Sequence, residues 1–115
     1  MHELSIAQSI VELAEQQARS HQASDIRELE LEIGVLAGVE IQTLDFALTS
    51  AVKGTMLENA AIVRHEITGE GRCGECDSVF RIETLFSPCP RCGSFLVNIT
   101  KGKELRIKSL VINKM

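Results

Sequence analysis

Residues 69–103 read GEGRCGECDSVFRIETLFSPCPRCGSFLVNITKGK. The stretch holds two C-x-x-C pairs, Cys73-Gly74-Glu75-Cys76 and Cys89-Pro90-Arg91-Cys92, separated by the twelve residues 77–88. Paired spacing of this kind lets each of two loops offer two thiolates to one tetrahedral ion, and four-sulfur ligation suits zinc. All four cysteines of the chain fall here, whereas a secreted disulfide framework would spread them along the sequence. A redox dithiol and a pair of local disulfides are the competing readings, although redox pairs usually come singly beside a βαβ pattern. Gly93 fits a tight knuckle in which backbone N–H groups approach the sulfurs. A closed four-thiolate site has no open position for water, so the metal is expected to fold the segment and not to catalyse.

Outward from the cysteines, Gly69-Glu70-Gly71 and Lys101-Gly102-Lys103 look like two flexible polar necks of an insertion. Val79, Phe80, Ile82 and Leu85 between the pairs are expected to make a short ribbon with a small apolar patch. This divides the chain into residues 1–68 plus 101–115 as one domain, and residues 69–100 as a zinc-ribbon-like module with four cysteine ligands.

In the flanking domain, Ala7, Ile10, Val11, Ala14 and Ala18 recur at helical spacing over residues 5–21. Ser5 and Gln8 have the form of a capping box, which predicts a helix start at Ser5 and a short leading segment over residues 1–4. Leu29, Leu31, Ile33 and Val35 alternate with Glu28, Glu30 and Glu32, the pattern of a strand with one buried and one wet face. Leu44, Ala47, Leu48 and Ala51 predict a second helix over residues 40–53, with Gly54 placed for a left-handed stop. A second strand is expected over residues 60–67. A third follows from Leu105, Ile107, Leu110 and Ile112, with a phase break at Lys108–Ser109 that a bulge could absorb. The fold class is therefore α+β: two helices packed on a three-stranded sheet, with the cysteine module inserted before the last strand.

At 115 residues, 44% hydrophobic and 24% charged, the chain fits one small domain plus a metal-stapled module. It carries no apolar run long enough to cross a bilayer and no secretory leader, so a cytoplasmic location is expected. A formal charge of −4 and a pI near 5.4 provide no cationic excess for phosphates or anionic lipid. Four Phe with no Trp or Tyr leave few platforms for stacking on bases. Neither nucleic acid nor membrane is an expected partner.

Met1-His2-Glu3 is the second constellation. The Met1 α-amine, the His2 backbone nitrogen and the His2 imidazole can close adjoining chelate rings on one ion, and such tetragonal nitrogen ligation suits Ni(II) or Cu(II). Glu3 could add a backbone nitrogen, a carboxylate oxygen or an outer contact. An α-amine with a pKa near ~7.7–8.0 must lose its proton to bind, so affinity should fall on acidification. The competing reading is a merely solvated terminal histidine. His21 reads as a helix-end residue and His65 as a strand residue.

The opening Met1-His2-Glu3-Leu4-Ser5, with Glu32-Ile33-Gly34, Gly38-Val39-Glu40, Phe46, Gly54-Thr55 and the C-x2-C-x12-C-x2-C array, resembles the HypA/HybF family of hydrogenase nickel-incorporation proteins end to end. The resemblance implies a nickel metallochaperone, not an enzyme. Its Ni(2+) would be cargo and its Zn(2+) structural. His2 would be the nickel ligand with the Met1 amine, Glu3 an auxiliary or partner-contact residue, and Cys73, Cys76, Cys89 and Cys92 the zinc ligands. It also implies delivery to the large subunit of nickel-iron hydrogenase, with urease a second recipient in some bacteria, and work with a HypB-type nickel GTPase. The oligomeric expectation is a monomer or weak homodimer. Two features depart from the family: no histidine follows His65, so no module imidazole can complete a nickel shell, and Thr68 replaces a proline common at the module's entrance, implying a looser hinge. The alternative function is a zinc-ribbon module for protein or nucleic-acid interaction.

Overall fold

A computed structural model describes residues 2–115. The elements run α1 (Glu3–Ser20), β1 (Ala23–Gly34), α2 (Ile41–Ala51), β2 (Ala61–Ile67), β3 (Gly69–Cys73), β4 (Val79–Ile82), β5 (Val97–Lys101) and β6 (Leu105–Lys114). They form two three-stranded sheets, β2-β1-β6 and β4-β3-β5. Two compact units result: Met1–Leu31 with Val39–His65 and Arg106–Met115, and Glu32–Gly38 with Glu66–Leu105.

The first unit is the expected α+β layer. The α1 stripe Ile6, Ala7, Ile10, Val11, Ala14 and Ala18 is buried, as are Leu44, Ala47 and Leu48 of α2. These two stripes meet, and Leu29 and Leu31 of the central strand are fully enclosed in the same core. Each such leucine removed from water contributes about 1.5–3 kcal/mol. The wet face of β1 carries Glu28 and Glu30 as read from the sequence. The burial rhythm of β6, with Ile107, Leu110 and Ile112 half-covered, changes phase between Lys108 and Ser109 as expected.

Three boundaries differ from the sequence reading. First, α1 begins at Glu3, not Ser5: His2 has extended backbone (φ −82°, ψ 128°) and its carbonyl accepts the Ile6 N–H at 3.2 Å, so His2 is the N-cap and Ser5 lies inside the first turn. Second, β1 starts at Ala23, five residues before Glu28; buried Ile26 and Leu29 are three apart, which breaks the alternation that marks a strand and hides this part of it in the sequence. Third, Val35 lies beyond the strand and is 49% exposed, its N–H bonded to the Ile67 carbonyl. Gly54 has the anticipated positive φ of 74° in the turns after α2.

In the second unit the first expected neck, Gly69-Glu70-Gly71, is ordered strand, whereas of the second only Lys101 belongs to a strand. Gly69 opens β3, which pairs antiparallel with β4 (Gly69↔Ile82, Gly71↔Phe80) and with β5 (Gly71↔Ile99, Cys73↔Val97). Glu70 faces Arg81 on one side and Lys101 on the other, opposite-charge pairs that favour this register. Glycine usually weakens a strand, which hid β3, but a Cβ on Gly71 would meet the Ile82 side chain and stand 2.8 Å from Val97 Cγ1. The expected short ribbon is thus a three-stranded sheet, and the segment Glu32–Gly38 packs with it.

Candidate metal centres

The two cysteine loops are built alike. The carbonyl of Cys73 accepts the N–H of Asp77 at 3.0 Å, and that of Cys89 accepts the N–H of Gly93 at 2.8 Å. Asp77 (φ 60°) and Gly93 (φ 77°), each just after the second cysteine of its pair, both take left-handed backbone. The N–H of Cys73 bonds the Ser78 carbonyl and that of Cys89 bonds the Ser94 carbonyl, closing each loop. Cys73 and Cys89 are buried while Cys92 is exposed. A short repeat, Cys-x-x-Cys-(Asp/Gly)-Ser, therefore underlies the module. Ser78 and Ser94 escaped the sequence reading because only the cysteines were compared, and aligning the two loops on them reveals both.

All four sulfurs lie within 4.8 Å of one another, with Cys73 Sγ to Cys92 Sγ at 3.5 Å and Cys76 Sγ to Cys89 Sγ at 3.6 Å. Four thiolates about 2.3 Å from one zinc ion at tetrahedral angles would stand roughly 3.8 Å apart. The donor set therefore fits zinc, and the cysteines form no disulfides. Backbone N–H groups of Glu75 and Cys76 approach Cys73 Sγ at 3.4 and 3.5 Å, and Arg91 N–H approaches Cys89 Sγ at 3.4 Å, offsetting thiolate charge.

The four sulfurs hold their protons unequally. Hydrogen bonding to the Ser78 hydroxyl, then to its backbone, draws Cys76 down to about 6. At Cys92 the Ser94 backbone N–H pulls downward, but the combined influence of Cys73, burial, Cys76 and Cys89 outweighs it and pushes the thiol up to about 12. One member of the cluster ionises readily and another holds its proton, which is the behaviour of closely spaced, coupled thiols.

At the other end of the chain, Met1 lies outside the described residues. His2 is exposed and its side chain makes no capping hydrogen bond. Glu3, the first residue of α1, turns its carboxylate to α2, where Oε2 accepts the Glu40 N–H at 3.2 Å. Glu40 is the N-cap of α2, and its own Oε1 accepts the Gln42 N–H at 2.9 Å. The Glu40 N–H, followed by Glu3's own N–H, holds the Glu3 carboxyl below its ordinary value. In the sequence Glu40 stands within Gly38-Val39-Glu40, far from residue 3; its place beside Glu3 is a tertiary fact.

The other histidines are engaged elsewhere. His21 Nδ1 lies 2.9 Å from the Gln17 carbonyl at the end of α1. His65 Nε2 lies 3.0 Å from Glu30 Oε2, an oxygen that Lys108 also approaches at 3.8 Å. Among the described residues, the cysteine tetrad is the one group of three or more His, Cys, Asp or Glu side chains placed to hold an ion. No helix among them is long and apolar enough to cross a membrane.

A family model described as hydrogenase/urease nickel incorporation, metallochaperone, hypA matches residues 1–112. The chain is 66% identical over 114 residues to a hydrogenase maturation factor HypA of Parabacteroides distasonis, with 99% of each chain covered. It is 41% identical over 112 residues to the factor of the same name from Prosthecochloris aestuarii, covering 97% of this chain and 99% of that one. A solved structure, the solution structure of the Ni metallochaperone HypA from Helicobacter pylori, matches with a TM-score of 0.75 and 27% identity over 100% of both chains. With the family model matched over residues 1–112 and the relatives covered over nearly their full length, the chain belongs to the HypA family of hydrogenase/urease nickel-incorporation metallochaperones.

Proposed function

We propose that this protein captures Ni(II) at its own N-terminus, through the Met1 amine, the His2 backbone nitrogen and the His2 imidazole with Glu3 as an auxiliary group. It hands the ion to the large subunit of a nickel-iron hydrogenase during maturation, working with a HypB-type nickel GTPase; urease is the second candidate recipient. In this reading residues 1–68 plus 101–115 are the nickel-binding domain and residues 69–100 the zinc module. The protein has no catalytic step of its own and acts in the cytoplasm as a monomer or weak homodimer, without nucleic acid or membrane.

The observation that carries the reading is the placement of His2. It is the N-cap of a helix, so its backbone is set by the bond from its carbonyl to the Ile6 N–H while its imidazole stays exposed. Backbone N–H groups at a helix start have no partner within the helix, which leaves the His2 nitrogen outside the helical ladder. The zinc site supports the same division of labour, since four sulfurs close one shell and leave no labile position for cargo.

The test is nickel binding by untagged protein. His2→Ala, or one residue added before Met1, should abolish nickel binding while zinc content and helicity stay as in the parent. Undiminished affinity after either change would defeat the reading.

A further inference from the structure

We infer that Glu3 is a positioning residue: by accepting the N–H of Glu40, its carboxylate docks the first turn of α1 on the N-cap of α2 and so sets His2 for nickel capture. This rests on the N-terminal nickel site proposed above and assigns Glu3 a role within it.

A helix N-cap commonly has its backbone N–H satisfied by a Glu or Gln three residues on, the returning arm of a capping box. In α2 that position is Thr43, and the carboxylate of Glu40 is itself engaged with Gln42. The arm comes instead from another helix, 37 residues away in sequence, as Glu3 Oε2 at 3.2 Å. The box is closed in trans, and the bond is charge-assisted.

The consequence for His2 is steric and entropic. A chain terminus is ordinarily the most mobile part of a domain, and a chelate that must be assembled from a mobile segment loses affinity to the ordering it requires. Here residue 2 is restrained from two directions: its carbonyl by Ile6, and the next side chain by Glu40. The restraint leaves the imidazole exposed. A Glu3 carboxylate that instead ligated nickel would have to leave the Glu40 N–H, giving up the contact that orders the segment.

The experiment compares Glu3→Ala, Glu3→Gln and His2→Ala in untagged full-length protein. It measures nickel affinity by competition with a chelating dye, the ligand-field absorption of bound nickel, and the amide resonance of Glu40. The Gln amide oxygen can accept the same N–H, whereas Ala cannot. Glu3→Ala should weaken nickel roughly tenfold with unchanged ligand-field bands and a shifted Glu40 amide; Glu3→Gln should restore affinity to within about threefold of the parent and restore the resonance. If Glu3→Gln is as weak as Glu3→Ala and the bands move, the carboxylate is a ligand and the positioning role is overturned. It is also overturned if both variants bind as the parent does while His2→Ala fails to bind. Retention of nickel by His2→Ala would sink the N-terminal site itself, and the role of Glu3 with it.

Discussion

Gly102 and Gly69 lie backbone against backbone: a Cβ placed on Gly102 would stand 2.8 Å from the Gly69 Cα and 3.0 Å from Leu36 Cδ1. Gly102 has φ 114°, a conformation that side chains rarely adopt, and Leu36 sends its N–H to the Gly102 carbonyl at 2.7 Å. Gly102→Ala therefore combines backbone strain with a clash against main chain that cannot rotate away. The substitution should destabilise the protein by roughly 2–4 kcal/mol, read as a lower urea midpoint, with amide protection lost first in β3 and β5. A midpoint unchanged from the parent would mean that this junction is looser than the contacts state.

Chelating the zinc should unfold the second unit selectively. Its buried apolar residues are few, and Val79, Phe86, Phe95 and Leu96 are largely exposed, so the ion replaces a core. Hydrogen exchange after chelation should speed at residues 70–73, 79–82 and 97–101 while the amides of α1 and α2 exchange as before. Equal protection in both states would show that the second sheet stands without metal.

Zinc uptake should release a pH-dependent number of protons. Cys76, drawn down to about 6, is mostly thiolate at pH 7 and mostly thiol at pH 5. Cys92, pushed up to about 12, carries its proton at both. Binding at pH 5 should therefore expel about one proton more than binding at pH 7, a difference visible by titration calorimetry in buffers of different ionisation heat. A constant release across that range would show that Cys76 is not ionised ahead of zinc.

Nickel affinity should fall on acidification because protons compete for the α-amine. With an ordinary amine pKa of ~7.7–8.0, the amine alone lowers the apparent affinity about tenfold for each unit below that value, and the proton that the His2 backbone nitrogen gives up on binding adds a further factor of about ten per unit. Acetylating the amine should remove both the binding and this slope; persistence of either would move the site elsewhere.

The cysteine tetrad is legible in the sequence. The C-x2-C-x12-C-x2-C spacing specifies which sulfurs meet, because two short loops can offer two thiolates each whatever the rest of the chain does, and the tetrad is found assembled. The helical stripes from Ile6 to Ala18 and from Leu44 to Leu48 were equally readable, since a period of 3.6 residues is a local property of the sequence. Less legible were elements defined by contact. The strand Gly69–Cys73 has glycines where Ile82 and Val97 need room, and its local composition resembles a flexible neck.

The sequence by itself determined the cysteine tetrad, the two amphipathic helices and the acidic net charge, because spacing, periodicity and charge are carried by neighbouring residues. Only the tertiary structure decided that α1 begins at Glu3, that Gly34, Gly69 and Gly102 share one close-packed junction, and that Glu3 reaches the Glu40 N–H. The physical reason is the same in each case: a cap, a close approach and a hydrogen bond across 37 residues depend on which backbone groups are brought together in space, and local pattern says nothing of that.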